Sequence, residues 1–264
     1  MIFNVPERLI SRTHRIIVRK QLLLEKFFRD RIEHILSYQY RIIAVQVRQG
    51  IRTVDFLIDR TRGYMLKAIS EQYTRIGLQF FFFVLDGFLQ QDRKNSGVRA
   101  QNGMAEEFWR AFHSWTLLLT SKNVGNINNT TKKLIHRIIK EGINEGAAMP
   151  IIADRIEEYG RQINKHRAMR IARTEVHSAS VYAIDTAVKS TRVQFNRVWT
   201  ATIDERTRTD HRRANGQVRG LNEPFDVGGE NLMFPGDPNG SAGNIINCRC
   251  AILYRNDTLR RYFE

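Results

Sequence analysis

The two cysteines of the chain, Cys248 and Cys250, flank Arg249 in "NIINCRCAIL". Thiols at that spacing admit three chemistries. A disulfide between residues two apart closes a very small ring and strains the backbone. As thiolates they would hold a metal, and with His211 they make three zinc ligands; strong zinc signatures carry paired motifs, and here a fourth ligand is not evident. As packing residues in a strand, Cys248 and Cys250 face one way and Arg249 the other, and buried cysteine behaves as a small hydrophobe. Packing on one face of a closing strand is the expectation. Zinc held by His211, Cys248 and Cys250 is the alternative, and no other cofactor is expected.

A carboxylate is the second candidate. In "HRAMRIARTEVHSASVYAIDTAV", Ala168, Ala172, Glu175, Ala179 and Ala183 project onto one narrow helical face flanked by Ile171 and Val176. A carboxylate in an apolar stripe is costly unless paired. As a general base, Glu175 would need a partner, and no His or Asp is clearly juxtaposed in the sequence. It is expected to be structural, anchoring a neighbouring loop by accepting backbone N–H groups or an arginine. Arg173 and His177 are placed on the more polar face, solvated or turned to a partner.

A third cluster lies in "WTATIDERTRTDHRRANGQV", which reads as a strand, a charged turn and a return. Asp204 suits an Asx turn, Arg206 and Arg208 are presented by it, His211 sits at its end, and Asn215-Gly216 marks a second turn. A His-Asn-His nuclease would use His211, Asn231 and Asn239 on a hairpin followed by a helix. The segment "NLMFPGDPNG" is too rich in proline and glycine to be that helix, and the nuclease stands only as a rival reading.

These residues need a scaffold, and the periodicity describes one. From about Glu7 to Lys94 apolar residues recur by threes and fours with little glycine or proline, which predicts helices. "QQDRKNSGVRAQNG" (91–103) reads as a loop, "AEEFWRAFHSWTLLL" as a helix, and "SKNVGNINNT" as its break. Asn129, Thr130 and Thr131 then cap a helix closed by Gly142 and Gly146. Pro150 opens a short helix that Gly160 ends, and a long one follows from about Ile163 to Lys189. "VQFNRVWTATI" predicts a strand. Residues 214–243 hold seven of the 17 glycines and three of the five prolines, so they read as ordered loop rather than regular elements. "IINCRCAILY" alternates like a final strand. The fold class is therefore mostly α, with a helical, basic N-terminal region and a small α+β C-terminal module.

Charge narrows the partners. The 264 residues carry 42 Lys+Arg against 27 Asp+Glu, a net +15, and residues 1–75 alone carry 15 against 7. A field of that sign attracts polyanions, and the arginine-rich balance favours phosphate or carboxylate contact over plain solvation. Zinc fingers and aromatic nucleic-acid platforms are not in evidence, so DNA contact is expected to be non-specific, through basic residues within 1–75. Two cysteines do not make a disulfide scaffold and point to a reducing origin. "IGLQFFFFVLDGFL" is broken by Gln79 and Asp86 and is too short to span a bilayer, so no membrane segment is expected. Of Phe80 to Phe83, most are expected in a helix core, with some left for a partner.

Taken together, "IARTEVHSASVYA", "WTATIDERTRTDHRRANGQV", the glycine- and proline-rich stretch and "NCRC" resemble the phage Mu F-like head morphogenesis family, the minor head proteins of tailed phages. The resemblance runs from about Thr130 to Tyr254; its pieces are specific together and not singly. The family's Arg-Thr-Glu falls on Arg173, Thr174 and Glu175, and its tryptophan on Trp199. Its turn falls on Asp204, Arg206, Thr207 and Arg208, its histidine on His211, and its closing motif on Asn247, Cys248, Arg249 and Cys250. These look like a fold signature rather than an active site.

The resemblance implies a structural protein of the virion and not an enzyme. It would be present in few copies inside the head near the portal, and linked to head morphogenesis, to binding of packaged double-stranded DNA and to DNA delivery. The portal protein is the implied partner, with major capsid or scaffolding protein as further candidates. Residues 1–125 are expected to form a basic region contacting portal or DNA, and 126–264 the Mu F-like module. Some relatives carry a toxin or enzyme domain after the module; the ten residues after Tyr254 leave none expected here. A general DNA-binding protein without a virion role is the second rival.

Overall fold

The computed structural model describes residues 7–92 and 103–255. Five helices come first: α1 (Glu7–Arg48), α2 (Asp55–Arg60), α3 (Arg62–Asp92), α4 (Met104–Asn144) and α5 (Met149–Ser190). A small module follows, of β1 (Asn196–Thr200), α6 (Thr209–Ala214), β2 (Val218–Gly220), β3 (Phe225–Val227), β4 (Glu230–Leu232), α7 (Ala242–Ile245) and β5 (Ala251–Arg255). The chain is mostly α with a C-terminal strand-containing module. No helix among the described residues is long and apolar enough to cross a membrane. The loop expected at 91–103 falls largely outside the described residues.

Two compact units are built from interleaved segments. One takes the described residues up to Leu24, Tyr73–Trp115 and those from Arg173 onward; the other takes Glu25–Gln72 and Thr116–Ala172. The boundary expected between residues 125 and 126 falls inside α4.

The second unit packs Tyr40, Ile43 and Val47 of α1 with Leu57 and Ile58 of α2, Ile135 and Ile139 of α4, and Ile152 and Ile156 of α5. Recurrence by three and four turns these residues inward. Polar residues at inward positions find each other: Gln39 Nε2 donates to Thr61 Oγ1 at 2.6 Å and to Asn128 Oδ1 at 3.2 Å. That burial explains why α4 runs through "SKNVGNINNT" instead of breaking there. Val124 and Ile127 are buried on it, and the hydroxyls of Thr130 and Thr131 bond back to the carbonyls of Asn126 and Ile127, keeping poor helix formers inside the helix. Asn129 to Thr131 therefore cap nothing.

The glycines also act differently from expectation. Gly146 does end its helix, at φ +71°, a conformation glycine adopts readily. Gly142 lies inside α4, and Gly160 does not end a helix, because α5 is continuous from Met149 to Ser190. At Gly160 a Cβ would stand 2.7 Å from Tyr40 Cγ and 2.8 Å from Tyr40 Cβ. The residue is there for close approach.

In the first unit, an aromatic stack joins α3, α4 and α5: Phe81 on Phe108, Phe108 on Phe112, and Trp115 on Tyr182 with centroids 4.2 Å apart. Phe80, Phe81 and Phe83 are buried and Phe82 is exposed. The three-stranded sheet runs β2-β1-β5, all antiparallel, with Arg197 opposite both Arg219 and Tyr254; β3 and β4 form a separate hairpin. Residues 214–243 thus contain three short strands where only loop was expected. The final strand is shorter than expected: β5 begins at Ala251, so Cys248 and Cys250 lie in the turn before it.

The glycine contrast is testable. Gly160→Ala gains about 1 kcal/mol of helix propensity and meets the ring of Tyr40 and its Cβ, which no rotamer moves, a clash that costs about 1–3 kcal/mol. It should lower the unfolding free energy. Gly125→Ala, in the middle of α4 with nothing within 4 Å of the added methyl, should raise it by about 0.5–1 kcal/mol. Urea denaturation of the two variants checks both signs.

Candidate functional site

Irregular backbone between β1 and β5 is held by side-chain donors and acceptors, and Arg197 supplies the most. Its side chain is fully buried. Nε donates to Gly220 O at 3.0 Å, one terminal nitrogen to Met233 O at 2.6 Å and the other to Glu223 O. Asp185 of α5 lies 3.5 Å from the guanidinium and also accepts from Tyr254 Oη at 2.8 Å and from Lys189 at 2.7 Å. The ring of Phe225 covers the guanidinium, 5.2 Å from Cζ to centroid. Nothing in the local sequence of Arg197 marks it, since a strand position flanked by Asn and Val reads as solvent-facing.

The turn after β1 is a second hub. Arg206 N donates to Asp204 Oδ1 at 2.9 Å, the expected Asx turn, and Thr207 Oγ1 lies 3.1 Å from the same oxygen. Arg249 closes it as a two-pronged fork on Asp204, at 2.5 and 2.6 Å. Planar pairing of this kind is the strongest ion-pair geometry arginine makes. The Arg249 bonds, helped by Thr207 and the Arg206 N–H, hold the Asp204 carboxyl well below the usual carboxylate range. Arg208 reaches across to Ile246 O at 2.5 Å, and the hydroxyl of Thr174 accepts from the backbone N–H of Asn247 at 3.3 Å. Asn247 sits at φ +57°, which asparagine tolerates.

The cysteines lie beside this hub. Both are free and buried. The single ligand atoms of His211, Cys248 and Cys250 lie within 4.8 Å of one another, with His211 Nδ1 3.2 Å from Cys250 Sγ and 3.8 Å from Cys248 Sγ. His211 is on α6 rather than at the end of a turn, and Trp199 meets its ring edge to face at 5.9 Å. The Cys248 thiol is pulled well below its ordinary value, chiefly by its hydrogen bond with Cys250 and then by neighbouring imidazoles; the same bond and burial push Cys250 up. A cleft of about 270 Å³ opens against these residues, with Arg173, Arg206, Arg208 and Arg249 on its walls.

His177 departs from expectation. It is 3% exposed rather than solvated, and its Nε2 is buried without a hydrogen-bonding partner. From Glu175 onward α5 is enclosed on nearly every side, so it has no polar face to offer. The signal was available in "SASVYA", where small and apolar residues occupy all directions of the helix. Glu175 is also buried, and among its partners is Tyr73, whose hydroxyl donates to Glu175 Oε2. Asn231 of the rival nuclease set is exposed on β4, and no helix follows it over residues 233–240; His211 instead meets Cys250 and Asn244.

Two outcomes test these hubs. Arg197→Met strands three carbonyls and leaves Asp185 with only Tyr254 and Lys189, and should cost about 3–5 kcal/mol in urea unfolding. Arg197→Lys should restore only part, since an ammonium lacks the fork; a loss below about 1 kcal/mol for the methionine variant refutes the assignment. The lowered value of Asp204 means its stabilisation is complete above the unfolded-state value, about 4, and fades as pH falls through the folded one. Asp204→Asn should therefore lower Tm at neutral pH, by a difference that shrinks steadily below about pH 4. A pH-independent difference counts against it.

Residues 133–253 match the family model described as Phage Mu protein F like protein. The chain is 30% identical to the minor head protein GP7 of Bacillus phage SPP1 over 142 residues, which are 52% of this chain and 43% of that protein. It is 31% identical to the NAD(+)--arginine ADP-ribosyltransferase EFV of Enterococcus faecalis over 115 residues, 42% of this chain and 23% of that protein. The chain thus spans less than half the length of either curated relative. No solved structure matches it. Every helix, turn and closing residue gathered around the cysteines lies inside the matched segment, and through residues 133–253 the chain resembles the phage Mu protein F like family.

Proposed function

We propose that this chain is a minor head protein of a tailed phage: a structural component in the interior of the virion, near the portal, acting in head morphogenesis. The observation that carries the reading is the likeness of residues 133–253 to the Mu F-like family and to a phage minor head protein. The way the signature residues are used supports it. Asp204 engages Arg249, Arg208 engages Ile246 O, and Thr174 engages Asn247 N. Those groups are spent on internal bonds, as in a scaffold, and the chain is read as a structural protein rather than an enzyme. The transferase activity in the name of the Enterococcus faecalis relative belongs to a protein of which this chain matches under a quarter.

Portal contact and non-specific binding of packaged DNA belong to the same proposal, with a role in DNA delivery, and residues 1–125 are the region proposed to make those contacts. Arg15, Arg19 and Lys26 share one face of α1 and are exposed, as is Arg41 further along. A basic stripe of this kind neutralises phosphates without reading bases.

Quantitative mass spectrometry of purified, nuclease-treated particles should find a few copies of the chain per portal ring. Absence from particles refutes the reading and leaves an assembly factor, a general DNA-binding protein or a nuclease. Cleavage of DNA by the purified chain with magnesium, manganese or zinc, abolished in His211→Ala, would favour the last. For DNA, the full chain should bind duplexes of unrelated sequence alike. Replacing Arg15, Arg19 and Lys26 by glutamine should flatten the slope of log K against log salt by about 0.9 for each phosphate no longer neutralised. An unchanged slope places the DNA-binding surface elsewhere.

A further inference from the structure

We infer that His211, Cys248 and Cys250 hold a zinc ion between α6 and the turn before β5, with its fourth position facing the cleft. The inference is independent of the role in the virion. Zinc–sulfur bonds of about 2.3 Å and zinc–nitrogen bonds of about 2.0–2.1 Å at tetrahedral angles require a nitrogen and a sulfur ligand to lie roughly 3.5 Å apart. His211 Nδ1 stands 3.2 and 3.8 Å from the two sulfurs, on either side of that value.

The tautomer of His211 is set for this. Asn244 Nδ2 donates to Val227 O at 3.1 Å, which turns its Oδ1 toward His211 Nε2 at 3.3 Å. Nε2 must then carry the proton, and the lone pair of Nδ1 faces the thiols. Zinc-binding imidazoles are characteristically fixed through the other ring nitrogen in this way.

Three donors are therefore in place before any metal arrives. The two sulfurs and the imidazole are each at most 3% exposed, and their ligand atoms lie within 4.8 Å of one another. The ring of Trp199 packs edge to face on His211 and holds it there. The same three residues line the cleft, so the fourth position is left to water.

The full chain, stripped with chelator and refolded with zinc alone, should retain one zinc per chain. With cobalt(II) alone it should show thiolate charge-transfer absorption and ligand-field bands of tetrahedral intensity. X-ray absorption of the wild-type zinc form should resolve two sulfurs at about 2.3 Å, one imidazole at about 2.0–2.1 Å and one further light donor. Cys248→Ser should lose stoichiometric zinc. Asn244→Ala should keep the cobalt spectrum and bind zinc about 10–100-fold more weakly. A folded wild-type chain that takes up neither metal overturns the site, as does undiminished zinc in Cys248→Ser. A second imidazole in the X-ray absorption overturns the open fourth position.

Discussion

A guanidinium with no exposed surface is the constraint on which the C-terminal module turns. Arg197 loses all its water, and burying it is costly unless both its charge and its N–H groups find partners. Asp185 of α5 provides the charge. The acceptors are the carbonyls of Gly220, Glu223 and Met233, which stand in stretches where few sheet partners exist. The dependence is mutual. The loop carbonyls would be orphaned without the arginine, and the arginine would be intolerable without the loops. One strand register and one helix face must coincide for both to be satisfied.

The same exchange recurs around the cysteines. Arg208 holds Ile246 O, Thr174 holds Asn247 N, and Ser178 Oγ holds Gly236 O at 2.7 Å. Asp237, also buried, accepts from Met233 N and Asn239 N. A region with seven glycines and three prolines gains its order from side chains that replace missing ladders. This is why residues far apart in the chain, from Thr174 to Cys250, act as one signature: each is one half of a bond whose other half lies elsewhere in the set.

That dependence also sets what the sequence could tell. The long helices, β1, the Asx turn at Asp204 and the buried alanine face with Glu175 were legible, because period and turn chemistry are local. Polar runs misled where tertiary burial overrode propensity: "SKNVGNINNT" is helical because Val124 and Ile127 are buried and hydroxyls bond back along the helix. Gly160 read as a stop because a glycine needed for close approach looks the same in one dimension as a glycine needed for a turn. His177 was assigned to a polar face that α5 does not have, because enclosure of the helix shows only in three dimensions. Arg197 was invisible, since a buried arginine is recognised only by what surrounds it.

The charge of +15 likewise divides by position rather than by residue type. In the C-terminal module three arginines are structural donors: Arg197, Arg208 and Arg249 each end on a carbonyl or carboxylate of the same module, while Arg206 and Arg213 stay exposed. Along α1, Arg15, Arg19 and Arg41 are exposed, within the first 75 residues that carry about half of the net charge. Guanidinium is suited to both uses because its planar fork satisfies backbone oxygens as readily as phosphate oxygens. A total charge therefore overstates the surface offered to a polyanion by every arginine turned inward. The argument for a polyanionic partner rests on the arginines that are displayed, such as Arg15 and Arg19 of α1, and not on those that hold the module together.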